Sequence, residues 1–139
     1  MKHIHIILAM LLPFAFADCY AQTGDVKTFS ILGDSYSTFE GYIPEGNACW
    51  YSTAPHGEND VTSVEQTWWH LFAKENGYEL LLNESYSGST ICNTGYDGSD
   101  YSDRAFTKRM FNVTAGDPDM IVIFGGTNDS WANAPVGEL

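Results

Sequence analysis

Three short apolar runs lie along the chain, and each ends at a turn of glycine or polar residues. They cover residues 26–32, 78–82 and 120–124. Runs of this length, bounded by such turns, are typical of β-strands. The third run, MIVIF, has no polar position, which is the pattern of a strand covered on both faces of a sheet. The sequence therefore predicts three strands.

Two segments between these runs have apolar residues at helical spacing. In the first, Ser63 and Gln66 form a capping-box pattern and Gly77 offers a stop, which predicts a helix between these positions. A second helix is predicted over residues 102–114. The apolar residues that carry these two patterns are Val64, Trp68, Leu71 and Phe72 in the first helix and Phe106, Met110 and Val113 in the second.

The predicted order is strand, helix, strand, helix, strand. This order is typical of an α/β domain with a parallel sheet and right-handed crossovers. Two long loops, residues 41–62 and 83–100, interrupt the regular elements, and long loops in compact domains are usually functional or mobile. Because sites in open parallel sheets form at the carboxyl ends of the strands, we expect the functional residues in the loops that follow the strands.

Composition and charge narrow the class of protein. The chain has 139 residues and a formal net charge of −12, which allows one domain and makes nucleic acid a poor partner. A lysine followed by an apolar run predicts a secretory signal peptide over residues 1–21, with cleavage after Ala21 or, as second choice, after Ala17. The run is too short to span a membrane. The predicted product, residues 22–139, is one secreted or periplasmic domain without a membrane span.

Cysteines and acidic residues give no pattern of a metal site. Cys49 and Cys92 remain after the predicted cleavage, and either a disulfide or two separate buried thiols is compatible with secretion. No His/Cys cluster has zinc spacing. Asp97, Asp100 and Asp103 do not follow the EF-hand pattern and are interpreted as a solvated acidic turn. The sequence predicts neither a metal nor a cofactor.

The loop after each predicted strand contains groups suited to ester hydrolysis. The first loop begins Gly33-Asp34-Ser35, the second contains Gly88, and the third contains Asn128 and Asp129. A serine hydroxyl can act as nucleophile, and an unobstructed glycine amide and an asparagine carboxamide can donate to an oxyanion. Each motif also has an ordinary interpretation as a turn or a helix cap, and Asp129 is expected to cap the helix or brace the loop.

Taken together, GDSYS, the Gly88 loop and GGTND resemble the first three motif blocks of the SGNH hydrolases, also called GDSL-type esterases and lipases. The resemblance covers residues 27–132 and implies a flavodoxin-like three-layer α/β/α fold. It implies that Ser35 is the nucleophile and that the oxyanion donors are the backbone amides of Ser35 and Gly88 and the side chain of Asn128. Gly126 matches the glycine of the third block.

The general base is the missing part of this pattern. The family's fourth block is Asp-x-x-His, and no such motif follows GGTND in this sequence. The family also places two further strands after the third. We therefore expect residues 22–139 to be the N-terminal part of such a domain, with at most weak esterase activity on its own. His56 and His70 are interpreted as structural or surface residues.

Aromatic residues in the long loops suggest the substrate. Five aromatic residues in or beside these loops could stack on sugar rings or equally pack the loops together: Trp50, Tyr51, Tyr86, Tyr96 and Tyr101. Of these, Trp50, Tyr51 and Tyr86 are the predicted substrate contacts. The resemblance implies a secreted esterase that removes O-acetyl or other short acyl groups from carbohydrate. The alternative is a non-catalytic glycan-binding protein on the same scaffold. A third interpretation, an unrelated anion-binding domain, is disfavoured by the acidic charge and by the absence of a phosphate-loop motif.

Overall fold

A computed structural model describes residues 25–54, 57 and 59–134. It contains three strands, β1 (Lys27–Gly33), β2 (Tyr78–Ser85) and β3 (Met120–Phe124). They form one parallel sheet in the order β2-β1-β3. The predicted α/β class and parallel sheet are therefore confirmed. The predicted signal peptide and its two cleavage sites lie outside the described residues.

The three strands end at the same edge of the sheet. Gly33, the last residue of β1, pairs with Ser85 at the end of β2 and with Phe124 at the end of β3. The chain can bend sharply after Gly33 because that residue has no side chain. A Cβ at this position would lie 2.5 Å from the Oγ of Ser85 and 2.6 Å from the Cβ of Ser37. The three loops that follow the strands are thereby brought together.

The first predicted helix starts later than expected and ends as expected. A 3₁₀ turn (Val64–Gln66) comes first, and the Gln66 side chain accepts a hydrogen bond from the Ser63 N–H at 2.9 Å. Thr67 is extended and separates this turn from α1 (Trp68–Asn76). Gly77 then ends α1 in the left-handed region, with φ 69°, a conformation that favours glycine.

The second predicted helix, residues 102–114, is wrong in extent. The structure has a four-residue helix, α2 (Phe106–Arg109), and then a separate 3₁₀ turn (Asn112–Thr114). Phe106 and Val113 are buried as the spacing predicted, but Met110 is 45% exposed. Phe106 and Val113 reach the core in this arrangement as they would on one longer helix, so their spacing alone does not distinguish the two.

Side chains pack on both faces of β1. Phe29 and Ile31 join the cluster on the α1 face, where the Phe29 and Phe72 rings meet edge to face at 5.2 Å. Leu32 points to the opposite face and packs with Phe106 and Val113. The result is a central sheet between two helical layers, with β1 its most buried strand.

Two further predictions are decided in the described part of the chain. Alternate side chains of β3 are open to solvent, with Ile121 41% and Ile123 67% exposed, so the predicted cover on both faces of this strand is not seen there. Cys49 and Cys92 are separate thiols, of which Cys49 is exposed. Among the described residues, no helix is long and apolar enough to cross a membrane.

Candidate functional site

A cavity of about 250 Å³ opens at the carboxyl edge of the sheet. It brings together the three residues singled out from the three strand ends, Ser35, Gly88 and Asn128. Trp50, one of the three loop aromatics predicted to contact substrate, also lines it. The full lining is Ser35, Tyr36, Trp50, Ser87, Gly88, Tyr96, Asn128 and Trp131.

Ser35 begins a 3₁₀ turn (Ser35–Ser37) directly after β1. Asp34 caps the turn by accepting a hydrogen bond from the Tyr36 N–H at 3.1 Å. The Ser35 carbonyl accepts from both the N–H and the hydroxyl of Thr38, at 3.1 and 2.8 Å. The Ser35 hydroxyl itself has no hydrogen-bond partner among the residues that the structure describes. The turn therefore holds the backbone of Ser35 and leaves its hydroxyl free.

Two backbone N–H groups at the cavity are also free. Within the described ranges, neither Ser35 nor Gly88 donates a backbone hydrogen bond. Gly88 has a φ of 81°, a conformation that glycine adopts without steric cost. Its turn is closed by the Ser89 N–H, which donates to the Tyr86 carbonyl at 3.2 Å. Free N–H groups beside a free hydroxyl are the donors that an oxyanion requires.

Asn128 adds a side-chain donor from the first turn of α3 (Thr127–Trp131). The residue is 4% exposed. Its Nδ2 donates to the Ser89 carbonyl at 2.9 Å, and its Oδ1 accepts from the Tyr96 hydroxyl at 2.9 Å. A carboxamide has two N–H donors, so one remains for a ligand. Both ends of the amide are held by residues of the loop that follows β2.

Asp129 braces the loop that carries these partners. Its two carboxylate oxygens accept from the Ile91 N–H, each at 2.9 Å. The bracing role expected for Asp129 is therefore seen, and the β3 loop is tied to the loop that follows Gly88.

A buried cation, Arg109, connects the strand ends beneath the cavity. Its guanidinium donates to the Gly33 carbonyl at 3.2 Å, to the Ser89 hydroxyl at 2.9 Å and to the Glu84 carbonyl. Burial lowers the pKa of Arg109 to about 10, which leaves it protonated at neutral pH. Sequence reasoning missed Arg109. It lies three residues after Phe106 on the predicted apolar face, and a single arginine there does not reveal that it is buried.

The carboxyl group of Asp34 is in an unusual environment for an acid. The residue is fully buried, and its Oδ2 has no hydrogen-bond partner in the described part of the chain. Burial raises the pKa of Asp34 above its ordinary value of 3.8, the Tyr36 N–H lowers it, and the charge of Asp129 raises it further. The native protein therefore holds this proton more tightly than the unfolded chain does.

A pH-dependent effect on stability follows from the raised pKa of Asp34. The contribution of this tightly held proton to the stability of the fold is fully present below pH 3.8. It is lost as the pH rises through the pKa of Asp34 in the native protein. Asp34→Asn removes this titration and keeps an oxygen for the Tyr36 N–H. The unfolding free energy of the variant minus that of the wild type should rise between about pH 3.5 and about pH 7. Urea denaturation at each pH measures this difference.

Asp100→Asn is the matched control for this experiment. The Ser102 N–H lowers the pKa of the exposed Asp100 carboxyl, so its contribution is present above pH 3.8 and lost as the pH falls. The Asp100→Asn difference should therefore change with pH in the opposite direction. Equal trends for the two variants would contradict the interpretation of Asp34.

The other two predicted substrate aromatics are not at this cavity. Tyr51 lines a neighbouring pocket together with Tyr36, Trp68 and Phe124. The Tyr86 ring lies against the Arg104 guanidinium, 5.4 Å from ring centroid to Cζ. The cavity instead contains Tyr96 and Trp131. Trp131 was missed, although its position three residues after Asn128 places it on the same side of a short helix.

In the part of the chain that the structure describes, no histidine lines the cavity. His70 lies on α1 and borders a separate groove of about 560 Å³ beside β2. His56 lies outside the described residues. The described residues also contain no group of three or more potential metal ligands. Of the acidic turn, Asp100 accepts from the Ser102 N–H and Asp103 pairs with Arg104 at 2.9 Å.

Comparison with known proteins gives one family match and two similar solved structures. The profile of the family described as GDSL-like Lipase/Acylhydrolase matches residues 27–139. The structure is similar to that of a protein from Bacteroides ovatus ATCC 8483, described as a GDSL-like lipase, with 59% identity and a TM-score of 0.79. It is also similar to one from Bacteroides uniformis ATCC 8492, described in the same words, with 58% identity and a TM-score of 0.75.

These two likenesses extend over most of this chain but only part of each relative. The first covers 83% of this chain and 55% of the Bacteroides ovatus protein, and the second covers 81% and 53%. The chain thus spans about half the length of the solved structures it matches. No curated protein sequence matches it.

Proposed function

Because the chain belongs to the GDSL-like lipase/acylhydrolase family, we propose that it is a serine esterase in which Ser35 is the nucleophile. The observation that carries the proposal is the free Ser35 hydroxyl, which shares one cavity with three unpaired or partly unpaired N–H donors. In the reaction, Ser35 Oγ forms a bond to the acyl carbon as a general base takes its proton. The alcohol then leaves with that proton, and water hydrolyses the acyl-serine.

The charge that develops on the carbonyl oxygen requires donors that are already in place. The backbone N–H groups of Ser35 and Gly88 and the Nδ2 of Asn128 supply them. Donors held in position before the reaction need no reorganisation as the tetrahedral intermediate forms. The hydrogen bonds of Asn128 to Ser89 and Tyr96 and the braced turn of Ser35 provide this rigidity.

The general base in this proposal is a histidine beyond Leu139, in an Asp-x-x-His motif. Two observations support it: no described histidine lines the cavity, and the match covers only 55% and 53% of the two solved relatives. Secretion is proposed from the apolar N-terminal run. An O-acetylated carbohydrate is proposed as substrate because Trp50, Tyr96 and Trp131 border the cavity, and aromatic rings stack on sugar rings.

The proposal is tested with the complete protein that the gene encodes. It should release acetate from acetylated xylo-oligosaccharides and hydrolyse p-nitrophenyl acetate faster than p-nitrophenyl palmitate. A fluorophosphonate probe should label Ser35, which lies in the tryptic peptide of residues 28–74. Labelling at another serine would contradict the assignment. Unchanged glycan binding in Ser35→Ala, without hydrolysis or labelling of the wild type, would favour the non-catalytic glycan-binding alternative.

A further inference from the structure

Both ends of the Asn128 amide are hydrogen-bonded. The partner of its oxygen is another side chain, and the partner of its nitrogen is a backbone carbonyl. Its Oδ1 accepts from the Tyr96 hydroxyl at 2.9 Å, across 32 positions of sequence. Its Nδ2 donates to the Ser89 carbonyl at 2.9 Å. Because a carboxamide oxygen only accepts, the Tyr96 hydroxyl must be the donor in this pair. The hydroxyl thus acts on the oxygen of an amide whose residue lines the cavity.

We propose that Tyr96 is a positioning residue that orients and polarises the Asn128 amide for oxyanion binding. The inference rests on the proposed esterase function and adds a residue that the motif resemblance does not contain. Donation to Oδ1 draws electron density away from Nδ2, and linked hydrogen bonds strengthen one another in this way. It also resists rotation of the amide, which would otherwise be held by the Ser89 carbonyl alone.

The loop that carries Tyr96 is built to hold the hydroxyl in place. Tyr96 begins a 3₁₀ turn (Tyr96–Gly98) inside a small loop closed by the Gly95 N–H, which donates to the Ser99 carbonyl at 2.8 Å. A Cβ on Gly95 would lie 2.4 Å from the Tyr101 ring, so the two residues are in close contact. Burial raises the pKa of the Tyr96 phenol, and the nearby Tyr101 and Asp34 raise it further. The phenol therefore stays a donor at neutral pH.

Tyr96→Phe removes the hydroxyl and keeps the ring that lines the cavity. A neutral hydrogen bond contributes up to about 1.5 kcal/mol, so kcat for p-nitrophenyl acetate should fall by about tenfold with KM unchanged. Tyr101→Phe is the matched control, because the Tyr101 hydroxyl has no hydrogen-bond partner among the described residues. It should leave kcat unchanged. A kcat of Tyr96→Phe equal to that of Tyr101→Phe would overturn the proposal.

A double-mutant cycle shows whether Tyr96 acts through Asn128. In an Asn128→Ala background, adding Tyr96→Phe should lower kcat no further, because the amide it orients is gone. The same tenfold loss in that background would overturn the proposal, since it would place the effect of Tyr96 elsewhere. A loss of thermal stability without a change in kcat would likewise assign the hydroxyl to structure alone.

A spectroscopic readout separates this proposal from the proposed esterase function. In ¹H–¹⁵N spectra of the complete protein, the side-chain amide signals of Asn128 are identified by their absence in Asn128→Asp. Tyr96→Phe should shift these signals and Tyr101→Phe should not, whether or not the protein hydrolyses esters. An unshifted Asn128 signal in Tyr96→Phe overturns the positioning role. If the signal shifts in a protein that neither hydrolyses esters nor reacts with fluorophosphonate, the hydrogen bond from Tyr96 to Asn128 is supported. The proposed esterase function is then contradicted.

Discussion

Ser35→Ala in the complete protein should lower kcat for ester hydrolysis by roughly 10⁶-fold, about the loss found when the nucleophile of a serine protease is removed. The loss is large because the reaction can no longer proceed through an acyl-serine. The substrate should still bind, since the remaining cavity residues are unchanged, so a dissociation constant for a non-hydrolysable carbohydrate should stay near the wild-type value. Stopped assays with p-nitrophenyl acetate measure kcat, and titration calorimetry measures the dissociation constant.

Ser87→Ala is the control for the nucleophile. Ser87 lines the same cavity, but its N–H donates to the Ala48 carbonyl at 2.8 Å, so it has no free backbone N–H beside its hydroxyl as Ser35 has. This variant should keep most of the activity. A collapse of kcat in Ser87→Ala, with Ser35→Ala remaining active, would move the nucleophile to Ser87 and refute the assignment.

Asn128→Ala should lower kcat by about 10²- to 10³-fold, the cost of removing one oxyanion donor. KM should change little, because the donor acts on charge that develops only in the transition state. Asn128→Asp should be at least as inactive, since a carboxylate would repel the oxyanion and cannot donate to the Ser89 carbonyl. Steady-state kinetics of both variants provide the test.

The structural role of Asn128 must be separated from its role in the reaction. The residue is buried and hydrogen-bonded at both ends, so Asn128→Ala should also lower the unfolding free energy by about 1–3 kcal/mol. The kinetic measurements are therefore made well below the melting temperature of the variant. A rise in KM at unchanged kcat would show that Asn128 binds the ground state instead and would contradict its assignment to the oxyanion.

Much of the fold could be predicted because short apolar runs and glycines act locally. The three runs became β1, β2 and β3 within a few residues, and Gly77 ended α1. The prediction of one helix over residues 102–114 was wrong because helical spacing also fits two short turns with a break between them. At that break Met110, which the spacing placed on the buried face, is 45% exposed.

The candidate site was predicted only as far as its residues follow strands directly. Parallel strands that end in register bring their loops to one edge, so Ser35, Gly88 and Asn128 meet in one cavity. The positions of the loop aromatics could not be predicted in the same way, because the local sequence does not determine which ring points into the cavity. Trp50 lines the cavity, whereas Tyr51 lines a neighbouring pocket and Tyr86 packs against Arg104.

By itself, the sequence determined the strand order along the chain, the parallel class of the sheet and the chemical groups at each strand end. These depend on local periodicity and on the conformations that glycine and proline allow. Only the tertiary structure decided that Tyr96 donates to Asn128 and that Arg109 joins Gly33 to Ser89. Such contacts link residues 32 and 76 positions apart, and their geometry depends on how whole loops and helices pack, which no local pattern records.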